Sequence, residues 1–138
     1  MAPQEQHLVE WTPHSALGGE HRSFSDLAIH SPEHQKLLVV LLCEEGELRL
    51  EFKDVRAFLT CWDGDPNPLL TFEEAASRPA NLFRIEGSRW LASDSFYLDC
   101  ESSFEASEEE WRHFCIIANE RSIHIAARDQ IEATLLTT

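Results

Sequence analysis

The stretch KLLVVLLCEEGELRLEFKDVRAFLTCW, residues 36–62, decides the fold. A nearly continuous apolar run comes first, then the charged turn CEEGE, then ELRLEF, where Leu48, Leu50 and Phe52 alternate with charged residues. Alternation at period two marks a strand with one buried face, and a turn between two such runs makes a β-hairpin. After Lys53-Asp54 the chain resumes with VRAFLTCW, a further strand, so the whole segment predicts a three-stranded meander.

Downstream, DGDPNP (63–68) gathers Gly, Asp, Asn and two prolines and reads as a loop. TFEEAASRP (71–79) opens on Thr71 with Glu74 three residues later, a capping box, and Pro79 limits this helix to about two turns. NLFRIE reads as a short strand. From Ser88, SRWLASDSFYL predicts a short amphipathic helix burying Trp90, Leu91, Phe96, Tyr97 and Leu98. WRHFCIIA and SIHIAA, separated by the turn-like NER, predict a second hairpin, and RDQIEATLLTT a brief helix or a fraying tail. Upstream, residues 1–30 mix Pro3, Pro13 and Gly18-Gly19 with Trp11, Leu17 and Phe24, an irregular N-terminal arm with one early strand around HLVEW. The sum is a single domain over residues 1–138 of α+β class, a mainly antiparallel sheet built from hairpins with two or three short helices.

At 138 residues with 43% hydrophobic composition, the chain has enough apolar surface for a real core. The longest apolar run, LLVVLLC (37–43), is too short to span a bilayer, and MAPQEQHLVEWTPHS lacks the basic and apolar regions of a secretory signal. A soluble cytoplasmic protein is therefore expected. Cys43, Cys61, Cys100 and Cys115 are widely spaced with no CxxC pair, so reduced thiols are expected, three of them in apolar surroundings as small buried hydrophobes. The formal net charge of −14 argues against nucleic acid and anionic membranes as partners, since phosphate binding rests on Lys and Arg. It equally favours solubility or encounter with a basic partner.

Chemical motifs are few. HSPEH (30–34) satisfies H-x-x-E-H, which in zinc proteases sets two histidines on one helix face with Glu beside the metal-bound water. Pro32 breaks that geometry: it suits the first helical position, making Ser31 the N-cap and leaving His30 outside, apart from Glu33 and His34. His7, His14 and His21 recur at sevens, but Pro13 and Gly18-Gly19 prevent one helix from carrying all three. Cys100 is the one thiol in a polar stretch, YLDCESS, where Asp99 and Glu101 would raise its pKa and where His113 or His124 would have to serve as base. GSRW matches no nucleophile elbow and DGDPN no complete calcium loop. No cofactor or metal is expected.

The segment DSFYLDCESSFEASEEEW (94–111) carries Asp94, Asp99, Glu101, Glu105, Glu108, Glu109 and Glu110 without Lys or Arg, interleaved with Phe96, Tyr97, Phe104 and Trp111. Acidic charge steers a basic protein, and aromatic side chains supply desolvated anchors. Alternatively the charges are a solvated loop and the aromatics turn into the core, with Ser107 and Glu110 forming a cap.

Three stretches, LEFKDVRAFLTCW, NLFRIEGSRWLAS and WRHFCIIANERSIHIAA, resemble the layout of small uncharacterised bacterial β-rich proteins of the immunity or toxin-neighbourhood type. The matching positions are Val55, Ala57 and Phe58; Leu82, Phe83, Ile85, Ser88, Trp90 and Leu91; and His113, Phe114 and Ile116, over roughly residues 48 to 127. The resemblance implies structural residues and no catalytic one, with ESSFEASEEE where a variable insert falls.

Two functions follow. The first is a non-enzymatic, immunity-like module that occludes a basic protein partner, with Glu105, Glu108, Glu109 and Glu110 steering and Phe104 or Trp111 anchoring. The second is a small hydrolase or metal-dependent enzyme using His30, Glu33, His34 or Cys100. A homodimer pairing hairpin edges across a two-fold axis is a third possibility.

Overall fold

A computed structural model of the chain describes residues 6–14, 24–31, 35–44, 46–62, 69–92, 111–118 and 120–137. The hairpin read from residues 36–62 is present. Strands β3 (Leu37–Cys43) and β4 (Gly46–Phe52) pair antiparallel, Leu37 opposite Phe52 and Cys43 opposite Gly46. Their alternation sends Leu37, Val39, Leu41, Leu48, Leu50 and Phe52 into the core. Gly46 starts β4 at φ 138°, and a side chain there would strike the Leu136 carbonyl.

The expected meander ends at Phe52. Strand β5 (Val55–Trp62) pairs with β8 (Arg121–Ala127), while β4 pairs with β9 (Ile131–Thr137). Lys53-Asp54 and the facing residues Arg128 to Gln130 turn one shared corner, closed by bonds from the Lys53 N–H to the Gln130 carbonyl (3.1 Å) and from the Arg128 N–H to the Asp54 carbonyl (3.0 Å). The pairing from Gly46 opposite Thr137 to Trp62 opposite Arg121 keeps one register, interrupted by a bulge between Val55 and Ala57. Residues 46–62 and 121–137 thus form one long ribbon, and strands that bend or bulge at a corner can serve two sheets at once.

The first sheet has the order β1-β6-β7-β8-β5, with β1 His7–Glu10, β6 Leu82–Glu86 and β7 Arg112–Ala118. The second has the order β2-β3-β4-β9, with β2 Asp26–His30. Leu27, Val39, Leu50 and Phe52 of the second sheet meet Leu82, Phe114, Ile116, Ile123 and Ile125 of the first in one core. Trp11 wedges between the layers, its ring centroid 4.8 Å from that of Phe114 and 6.0 Å from that of Phe52.

This architecture corrects the α+β expectation. The described residues form nine strands and one helix, α1 (Phe72–Ala76), so the fold is mostly antiparallel β. The capping box of α1 is as expected: Thr71 Oγ1 accepts from the Glu74 N–H and Glu74 Oε1 accepts from the Thr71 N–H. The helix expected from Ser88 is a single turn as far as Ala92, and its remainder lies outside the described residues. The C-terminal helix or tail is strand β9, because Ile131, Ala133 and Leu135 alternate toward the core. The supposedly irregular arm holds β1, as expected, and also β2, whose five residues are too short a run to stand out beside HSPEH. The loop read at 63–68 lies outside the described residues. Among the described residues no helix is long and apolar enough to cross a membrane.

Candidate functional site

Strands β7 and β8 each bury both faces. Phe114, Ile116, Ile123 and Ile125 point toward the second sheet, so His113, Cys115 and His124 point the other way, beneath a layer made by α1, Leu70 and the turn that follows β6. Cys115 lies directly opposite His124, and His113, opposite Ala126, is two pairs along. His113 is 1% exposed and His124 0%.

Two buried imidazoles need partners, and the outer layer supplies them. His113 Nε2 lies 2.8 Å from His124 Nδ1, and His113 Nδ1 lies 2.7 Å from Ser88 Oγ. The Trp90 ring stands edge-on against His113, centroids 5.1 Å apart. Burial pushes the His113 pKa well below the ordinary value, with neighbouring His124 adding to the shift, and burial lowers His124 to about 4. Both rings are therefore neutral near pH 7. Two tautomer orders satisfy the distances, with the chain of donors running from Ser88 to His124 or the reverse.

The position of Ser88 has a clear local origin. Strand β6 ends at Glu86, Gly87 adopts φ 66°, and the chain turns at once into a helical turn whose Leu91 N–H donates to Ser88 Oγ (3.1 Å). The next residue, Arg89, ties this turn down. Its guanidinium grips Glu74 of α1 at 2.6 and 3.2 Å, and its N–H donates to Gln6 Oε1 at 2.8 Å. Burial alone would raise the Glu74 pKa, but bonds from Arg89, the Thr71 N–H and Gln6, together with the Arg89 charge, hold it at about 2. Glu74 thus links α1, the Ser88 turn and the entry to β1.

Ser88 and His113 line a cavity of about 390 Å³, together with Arg84, Leu91, Trp111 and Arg112. Arg84 Nε is buried and has no hydrogen-bond partner among the described residues. The arrangement contains a hydroxyl, a neutral base bonded to it, and a second base behind the first.

Of the residues proposed from sequence, Phe104, Glu105, Glu108, Glu109, Glu110, Glu33, His34 and Cys100 lie outside the described residues. Trp111 is placed, and only 5% exposed: the guanidinium carbons of Arg128 and Arg56 lie 5.2 and 5.7 Å from its ring centroid. There cation–π packing and burial already occupy the ring. His30 is exposed at the end of β2. No group of three His, Cys, Asp or Glu among the described residues could hold a metal ion. Cys115 is buried, and burial, with Cys61 adding to the effect, pushes its thiol up, away from reactivity. Cys43 and Cys61 are only partly buried.

Ser88 was the residue that sequence reasoning missed. GSRW fails the elbow motif, and nothing local couples it to residue 113. For the histidines a usable signal exists: alternation in RHFCIIA and RSIHIAA puts His113 and His124 together on the face opposite the isoleucines.

Acidic charge is spread unevenly along the sequence. Residues 93–110 contain seven acids and no base, and their flanking residues Ala92 and Trp111 are both at the cavity wall. No family model matches this chain, and no curated protein or solved structure proves similar to it.

Proposed function

We propose that the protein is an immunity-like binding module that occludes a basic protein partner through residues 94–110. The observation that carries this reading is the local charge: seven of the 25 acidic residues fall between Ala92 and Trp111, with no Lys or Arg among them. Acidity spread for solubility alone would leave basic residues interleaved with it. The buried Trp111, under Arg56 and Arg128, fixes one end of the segment, leaving Phe104 as the aromatic anchor and Glu105, Glu108, Glu109 and Glu110 as the steering charges.

The test compares the full chain with a variant in which Glu105, Glu108, Glu109 and Glu110 are all Gln, as paired baits at low salt in lysate of the source cell. A basic protein retained by the first, released by salt and bound by the second at least tenfold more slowly would agree with electrostatic steering. Equal retention and equal association rates at low salt would overturn the proposal.

A further inference from the structure

Four features around Ser88 belong together. Strand β6 delivers Ser88 through Gly87 onto the start of a helical turn, so the hydroxyl stands at the end of a rigid element rather than in a loose loop. The Leu91 N–H donates to Ser88 Oγ, and in one of the two tautomer orders the hydroxyl proton is directed at His113 Nδ1, 2.7 Å away. With Nδ1 accepting, His113 must carry its own proton on Nε2, where it is given to His124 Nδ1 at 2.8 Å. The third feature is that second ring, which fixes tautomer and orientation of the first as an orienting group does in a hydrolytic triad. The fourth is the cavity of about 390 Å³ at which Ser88 and His113 arrive.

We infer that Ser88, His113 and His124 form an acyl-transfer site, independent of the acidic segment, that takes small esters. Ser88 Oγ attacks the acyl carbon, and a bond forms between them as the hydroxyl proton passes to His113 Nδ1. The tetrahedral intermediate collapses, the bond to the leaving alkoxide breaks, and the alkoxide takes that proton away as an alcohol. Water then attacks the Ser88 ester by the same route in reverse, returning the proton to Ser88 and releasing the acid. No redox partner or metal enters the balance. His124 touches no substrate and acts as a positioning residue.

A polar chain that merely completes a buried layer would show the same distances, so the test must read reactivity. The intact protein is incubated with a fluorophosphonate probe, whose phosphorus bonds to an activated serine with loss of fluoride, and the adduct is mapped by mass spectrometry. The expected result is modification of Ser88. His113→Gln should slow labelling roughly 10²- to 10⁴-fold, the range of a lost general base. His124→Phe should also slow it in a variant that still melts cooperatively. Because burial holds His113 well below its usual pKa, the labelling rate should persist to lower pH than that of an ordinary histidine base, which fades below about pH 6.5. A folded wild-type protein that is unlabelled at saturating probe, or labelled elsewhere, overturns the site. For substrate class, 4-nitrophenyl acetate should be hydrolysed by the wild type and not by a folded Ser88→Ala variant, and equal turnover by the two would overturn the ester assignment.

Discussion

The two faces of the β7–β8 hairpin are both buried, yet they are built from different chemistry. The inner face is Phe114, Ile116, Ala118, Ile123, Ile125 and Ala127, packed against a second sheet. The outer face holds His113, Cys115 and His124 under one short helix and one turn. Apolar burial is non-directional, so the inner face needs only shape and volume. Imidazoles buried as deeply need a named partner at each nitrogen, and a missing partner leaves a desolvated polar group. The inner face can therefore be repacked gradually, while the outer face works as a connected set: His124, His113, Ser88 and the turn that carries Ser88.

The largest way to break the comparison is Phe114→Ala. Phe114 is fully buried and touches Trp11 and Phe52 at centroid distances of 4.8 and 5.6 Å, so its removal opens a cavity between the sheets. We expect a loss of about 3–5 kcal/mol in urea unfolding. A loss under about 1 kcal/mol would mean that the inner face collapses around the gap and that apolar packing there is not specific.

The same contrast explains what was legible beforehand. Period two in KLLVVLLC, ELRLEF, HFCII and SIHIA identifies the strands, because half-buried or wholly buried strands must place their apolar residues in register with a sheet. Period two does not say which strands are neighbours. The corner at Lys53-Asp54 depends on residues 128–130 turning in step, a pairing of positions far apart in sequence. Residues 131–137 look weakly patterned because Ile131, Ala133 and Leu135 are only partly buried along an edge. Short helices were overcounted because Ser-rich and capped stretches satisfy local helix rules that tertiary packing does not extend. The Ser88 chain is illegible for a similar reason: its three members come from three elements, and only the fold brings them within hydrogen-bonding distance.

Acid separates the faces without mutation. An exposed histidine in the unfolded chain binds a proton near pH 6.5, whereas His124 in the fold does so only near pH 4 and His113 also well below its ordinary value. Between those limits the unfolded state holds more protons, so stability falls as pH falls. The slope is about 1.4 kcal/mol per pH unit for each histidine that remains neutral in the fold. Unfolding measured from pH 7 to pH 5 should show this decline, and a His113→Phe, His124→Phe double variant that still folds should lose it. A wild-type curve that is flat over that window would show that the outer layer admits protons or water more freely than its burial implies.

The smallest expected effect is at Glu74, where an ion rather than a neutral chain fixes the outer layer. Glu74→Gln keeps an acceptor for the Thr71 N–H and so preserves the capping box, but it removes the charge that Arg89 grips. The loss should be about 1–2 kcal/mol, since charge-assisted bonds give way to weaker neutral ones. The sign of its pH dependence is set by the lowered carboxyl value. Its contribution is full above pH 4.5, the ordinary value, and is lost as pH falls toward about 2. The wild type and the variant should therefore converge in stability as the carboxylate protonates. If Arg89 is what holds the Ser88 turn in place, the same substitution should also loosen the hydrogen bond to His113, seen as faster exchange of the Leu91 amide. Slow Leu91 exchange in a destabilised Glu74→Gln protein would mean that the β6 end and Gly87 position Ser88 without the ion pair, making the outer face as locally self-sufficient as the inner one.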